Sequence, residues 1–204
     1  MNALAQALPM PRARGARLAF QAALAIGGSL LIAALAQVSV RLPFTPVPIS
    51  GQTLGVLLVG TAFGWLLGGL TLALYLAEIA VGLPFAAEGN AGYEVLTLVT
   101  PSGGYIWGFL AAAILMGWLA GRGWDRSIRS SISVMLLGHI VIYVVGIVWL
   151  HASPTFAAFL GHEPSVKETL TAGLYPFVVG DVLKLLLAAG ALPLAWRLVG
   201  RRGD

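Results

Sequence analysis

The chain has 204 residues, of which 58% are apolar and only 10% charged, where soluble globular domains carry roughly 45–50% and 25%. A soluble domain is thereby excluded, and the absence of cysteine removes disulfides, thiolate metal sites and a Cys nucleophile. The net charge of +4 comes from cations lying between apolar blocks, so it points to membrane topology and not to a nucleic-acid partner.

A spanning helix needs about 20 mainly apolar residues, because the bilayer offers the backbone no hydrogen-bond partners and a helix satisfies its own. Uncharged blocks predict a first span at 18–40, between Arg17 and Arg41. The run from Gly51 to Pro84 is too long for one crossing and is broken around Gly64, Gly68 and Gly69, which predicts spans at 51–66 and 68–83 joined by a tight turn. Further spans are expected at 104–121, 132–150 and 174–196. The expected fold is an all-α membrane protein with six transmembrane helices in one bundle, a single integral membrane domain over residues 1–204 with both ends on one side.

Cytoplasmic flanks are enriched in Lys and Arg. Arg12, Arg14, Arg17, Arg122, Arg126, Arg129, Arg197, Arg201 and Arg202 fall on one side, and Arg41 and Lys167 on the other, with Lys184 inside a span. Nine against two predicts cytoplasmic termini. The basic start, apolar stretch and Ala34-Leu35-Ala36 also fit a cleavable leader. Its removal would leave five spans with the amino terminus outside, in poorer agreement with the charge count, so the segment is read as the first span.

Two external loops carry information. Pro43, Pro46 and Pro48 fix φ within Arg41–Ser50 and forbid helix, so an apolar, stiff segment runs beside the bilayer as a pocket wall, a lid or a rigid connector. The second loop, from Pro84 to Gly104, is long for a helix connection, which favours a functional role. Gly89, Gly92, Gly103 and Gly104 permit tight turns or close approach. Asn90, Tyr93 and Tyr105 offer hydrogen bonds and an aromatic wall, although interfacial anchoring favours the same aromatic positions.

Ionisable groups within spans are costly and need partners. Asp181 and Lys184 stand three apart on the last span, on one face, about two to three turns below its outer end at 1.5 Å per residue. They form a packing pair or a site for a ligand bearing both N–H donors and carbonyl or carboxylate acceptors. Glu78 lies near the outer end of the third span, and His139 and Tyr143 share a face of the fifth. No metal-ligand spacing, catalytic constellation or phosphate-binding loop is present, so neither a metal nor a cofactor of the chain's own is expected, and any ATP would be used elsewhere. Ala19, Ala23 and Gly27 form a small-residue stripe on the first span, suited to bundle packing or to a docking helix. Gly64/Gly68 and Ala113/Gly117/Gly121 share that spacing.

Leu42-Pro43-Phe44-Thr45-Pro46-Val47-Pro48-Ile49, followed by Gln52-Thr53-Leu54-Gly55-Val56-Leu57-Leu58, closely resembles the signature of BioY proteins, the biotin-specific substrate-binding (S) components of energy-coupling factor transporters. The resemblance continues through Gly82-Leu83-Pro84, Pro101-Ser102-Gly103-Gly104-Tyr105 with Gly108-Phe109, and Gly180-Asp181 with Lys184. It implies six helices and a biotin pocket on the outward side under the first loop, with Asp181 and Lys184 as ligand-binding residues and Gln52 and Thr53 in the wall. Asn90 and Tyr93 rest on loop position and chemistry. The sequence departs from the family pattern at Val99-Thr100-Pro101-Ser102. The resemblance also implies a transmembrane coupling protein and two cytoplasmic ATPase subunits as partners, docking on Ala19/Ala23/Gly27, in a prokaryotic plasma membrane. On the residues alone, an intramembrane enzyme using His139, Glu78 or Asp181 and a structural subunit without a ligand remain alternatives.

Overall fold

A computed structural model describes residues 3–7 and 11–200; Arg201 and Arg202 of the charge count lie outside them. Helix α1 runs Arg14–Gln37, starting before the uncharged block because the long stems of Arg14 and Arg17 let a helical turn carry charge at the membrane edge. It stops where two short strands begin: β1 (Ser39–Val40) pairs antiparallel with β2 (Ile49–Ser50), in register Ser39↔Ser50 and Val40↔Ile49. This ladder clasps the base of the proline segment, so 41–48 forms a closed strap and the first span ends short of Val40.

Helix α2, Gln52–Ala80, is interrupted at Gly64, which has φ 78° and ψ 171°. That backbone conformation is essentially confined to glycine. A continuous helix would hold Gln52 and Tyr75, 23 positions apart, about 35 Å from each other, yet Gln52 Nε2 donates to the Tyr75 hydroxyl at 2.6 Å. The element is therefore a hairpin of two arms, 52–63 and 65–80, which corrects the expected boundaries at 66 and 68. Hydropathy cannot locate a turn made of one apolar-neutral residue, whereas the positive φ does. The arms touch closely, since a Cβ on Gly68 would lie 3.3 Å from the Gly60 carbonyl oxygen.

Three-ten turns at Ala87–Gly89 and Tyr93–Leu96 order the second loop and lead into α3, Gly103–Ala120. Gly117 of α3 sits directly on the Gly64 turn, where a side chain would collide with the backbone of Gly64 and Trp65. Helix α4 spans Ile128–His151, and its Ser127 side chain caps the amide of Ser130. Two short helices then cover the loop end, α5 (Pro154–Leu160) and α6 (Val166–Gly173). Hydropathy does not announce them, but Pro154 at the first turn and the Ser165/Glu168 capping box do. Helix α7, Tyr175–Gly200, returns to the opposite end, where Trp196 Nε1 donates to Asp125 Oδ2 at 2.7 Å.

The chain thus passes six times through one bundle in which α2 packs on α1 and α3, α3 on α4, and α7 on α4 and α2. Leu30, Leu31, Val179, Leu183 and Leu187 are exposed on its outer surface, as expected of helices that meet lipid. Among the described residues, five helices, counting α2 once, are long and apolar enough to cross a membrane. This is a multi-pass membrane protein.

Gly64→Ala is expected to lower stability by about 1–3 kcal/mol, since no L side chain fits that backbone without strain. Thermal unfolding in detergent measures it, and unchanged stability would place the turn elsewhere.

Candidate functional site

Phe177, Asp181 and Lys184 follow one another at helical spacing on one face of α7. Asp181 is 6% exposed, and its carboxylate is held from three helices. Lys184 Nζ donates to Oδ1 at 2.8 Å, Thr53 Oγ1 of α2 to Oδ1 at 3.1 Å, and the Tyr143 hydroxyl of α4 to Oδ2 at 2.5 Å. Burying an isolated carboxylate would be prohibitive, and this set of charge-assisted donors offsets the cost. His139 on α4 brings Nε2 to 3.7 Å from Oδ2.

Above this corner opens a cavity, part of it continuous with the outside. Asp181, Lys184, Gln52, Thr53, Asn90 and Tyr105 all line it. Gln52 is engaged at both ends of its amide: Nε2 donates to Tyr75, Oε1 accepts from Ser50 at 2.8 Å, and Tyr75 passes its own hydrogen to the Phe85 carbonyl at 2.8 Å. It braces the wall more than it offers a free contact. Tyr105 is buried and spends its hydroxyl on the Gly173 carbonyl at 2.7 Å. Its ring meets Tyr143 edge-on with centroids 6.5 Å apart and Phe177 at 6.2 Å, so it serves as wall and not as interfacial anchor. Asn90 donates to the Ala87 carbonyl at 2.8 Å, leaving its side-chain carbonyl without a partner among the described residues.

Tyr93 stands apart, 67% exposed and outside the cavity lining. The positive φ of Gly92 swings the chain into the three-ten turn, which sends Val95 into the cavity and Tyr93 out. Glu78 lies two residues before the end of α2, near the outer end of that span as expected, where it is half-buried and accepts from Ser29 Oγ of α1 at 2.6 Å.

The proline strap covers part of the cavity. Val47 and Pro48 line it, and buried Thr45 donates to the Ala172 carbonyl of α6 at 2.8 Å. Arg41 forms a bidentate pair with Glu88 of the second loop, with Nε at 2.9 Å from Oε1, and that carboxylate raises the Arg41 guanidinium above its ordinary value. Among the described residues, no group of three or more His, Asp or Glu could hold a metal ion. The arrangement is a capped, largely apolar chamber with an acceptor and a cation side by side at its floor.

A sequence model of the BioY family matches residues 9–201. The chain belongs to the BioY family. It is 35% identical to the probable biotin transporter BioY of Pyrococcus horikoshii over 81% of this chain and 87% of that one. It is 33% identical to the biotin transporter BioY of Thermotoga maritima over 74% and 81%. The crystal structure of the S-component for biotin from an ECF-type ABC transporter superposes with a TM-score of 0.77 at 23% identity, covering 92% of this chain and 95% of that one; at that identity the likeness establishes the fold.

Sequence reasoning on this BioY chain did not place Tyr143, Phe177, Phe109 or Thr45 at the site. The first three were findable. Phe177 lies four residues before Asp181, Phe109 four after Tyr105, and Tyr143 shares its face of α4 with His139. Thr45 had no local signal, since its partner is 127 positions away.

Tyr105→Phe is expected to lower stability by about 1–3 kcal/mol, because it leaves the buried Gly173 carbonyl unpaired. The midpoint of thermal unfolding in detergent measures the loss.

Proposed function

We propose that this chain binds biotin in the capped chamber and serves as the substrate-specific component of an energy-coupling factor transporter. The observation that carries the reading is the Asp181–Lys184 pair at the floor of the chamber in a chain of the BioY family. Biotin's ureido ring offers two N–H donors and a carbonyl, and its tail ends in a carboxylate. Asp181 can accept from the donors, and Lys184 can donate to either kind of oxygen. The rings of Tyr105, Phe109 and Phe177 give the apolar remainder of the ligand a surface. Gln52 and Thr53 hold the wall, Asn90 offers its free carbonyl, and the strap from Arg41 to Ser50 covers part of the chamber. Relatives named as transporters favour this carrier over an intramembrane enzyme.

The chain takes no cofactor of its own in this reading. Energy enters through a transmembrane coupling protein and two cytoplasmic ATPase subunits. The stripe Ala19, Ala23 and Gly27 suits their docking because it is exposed, and a Cβ at Gly27 would meet nothing within 4 Å. Internal packing of α1 uses a different face, with Gly28, Ser29, Ile32, Ala33 and Ala36 buried. The charge count supports cytoplasmic termini and insertion in the prokaryotic plasma membrane, with the chamber facing outward.

Asp181→Asn and Lys184→Ala are each expected to weaken biotin binding by more than about tenfold, the loss of ~1.4 kcal/mol or more that an unpaired buried group brings. Equilibrium binding to the detergent-purified chain tests this. Unchanged affinity in both variants would remove the pair from the site, and no binding by folded wild-type protein would overturn the ligand. Ala19→Leu with Ala23→Leu is expected to leave biotin affinity intact while abolishing ATP-driven uptake in reconstituted vesicles. Loss of binding in that variant would assign the stripe to the bundle.

A further inference from the structure

His139 is buried on α4, and its Nδ1 lies 3.0 Å from the Met135 carbonyl oxygen. A carbonyl only accepts, so Nδ1 carries a hydrogen. Nε2 is buried without a hydrogen-bond partner among the described residues and faces Asp181 Oδ2 at 3.7 Å. With Lys184 answering the carboxylate in the empty site, Nε2 stands unbonded at this distance, as a neutral imidazole leaves it; an imidazolium would have an N–H to donate to Oδ2. Asp181 has room for that donor. Thr53 and Lys184 occupy Oδ1, and Tyr143 takes one of the two lone pairs of Oδ2.

The titratable and charged groups that the surrounding elements present here are Asp181 and Lys184 of α7, Tyr143 of α4, whose ring stacks on His139 with centroids 6.2 Å apart, and Tyr105 of α3 beyond it; the first arm of α2 brings neutral Thr53. His139 does not line the chamber, so it acts on a ligand only through Asp181.

We propose that His139 is a proton-bearing positioning residue: as an imidazolium it donates to Asp181 Oδ2 from behind the chamber, and ligand binding at Lys184 takes up that proton. The inference rests on the biotin reading. In the empty site Lys184 and Asp181 neutralise each other. A ligand oxygen that draws Lys184 away strips the buried carboxylate of its counter-ion, which is costly. A proton on His139 supplies the replacement charge on the opposite side and keeps Asp181 in place. The bond that forms is Nε2–H to Oδ2, the proton comes from solvent, and dissociation of the ligand returns it.

The test is equilibrium biotin binding to the full chain between about pH 6 and pH 8, where imidazole titrates, for wild type and His139→Gln. It is paired with the nitrogen spectrum of ¹⁵N-histidine-labelled protein, the His139 signal being the one missing from the variant. The wild-type Kd is expected to rise about threefold or more with pH, one linked proton setting a ceiling of about tenfold per unit. The Gln variant, which keeps an uncharged donor, is expected to show no such slope, and biotin at neutral pH is expected to move the Nε2 signal to its protonated position. A flat wild-type profile, the same slope in His139→Gln, or an Nε2 signal indifferent to biotin would each overturn the proposal, and the wild-type pH profile stands even if the variant does not fold. A folded wild-type chain that binds no biotin at any pH overturns the ligand reading and with it the linkage. The pairing of His139 with Asp181 is then decided separately, upheld if Asp181→Asn displaces the titration of the His139 signal and rejected if it does not.

Discussion

A negative charge held inside a membrane protein must be answered on every side, and Asp181 is where this bundle meets that requirement. Its carboxylate gathers a hydroxyl from α2, a phenol from α4 and an ammonium from its own helix. Three of the helices that wall the chamber are thus registered against one another by a group that cannot be left unpaired. A second polar chain, from Ser50 through Gln52 and Tyr75 to the Phe85 carbonyl, ties the hairpin to the second loop by the same logic. The proposed ligand floor and the principal polar joint of the bundle are one structure, so a ligand bound there would exchange partners inside an existing network and not fill an inert hole.

The glycines and alanines divide into two uses. Gly60, Gly64, Gly68 and Gly117 are consumed where the hairpin arms and α3 approach backbone to backbone, which is how apolar helices associate when lipid offers no hydrophobic drive. Ala19, Ala23 and Gly27 have the same spacing but face outward. Spacing alone does not separate the two groups; burial does.

The crossings were legible because lipid imposes an apolar composition on all of them and a spanning length on most, the short arms of α2 being the exception. The floor of the chamber was legible because an intramembrane Asp and Lys three apart have few structural reasons to exist. Helices α5 and α6 were hidden by their shortness, although Pro154 and the Ser165/Glu168 box mark their starts. Tyr93 was misplaced because loop chemistry gives no direction to a side chain; the backbone twist at Gly92 decides it. The strap's anchorage through Thr45 to Ala172, and the pairing of Arg41 with Glu88, join segments far apart in sequence, and nothing local in either partner names the other.

The turn at Gly64 also bears on how the protein enters the membrane. Arms of 12 and 16 residues extend only about 18 and 24 Å, short of the roughly 30 Å hydrocarbon core, and no polar loop lies between them to be held at the far surface. Neither arm is long enough to be inserted as an independent stop in the bilayer. The two are expected to enter together as one helical hairpin, so a single glycine couples the insertion of the 29 residues of α2.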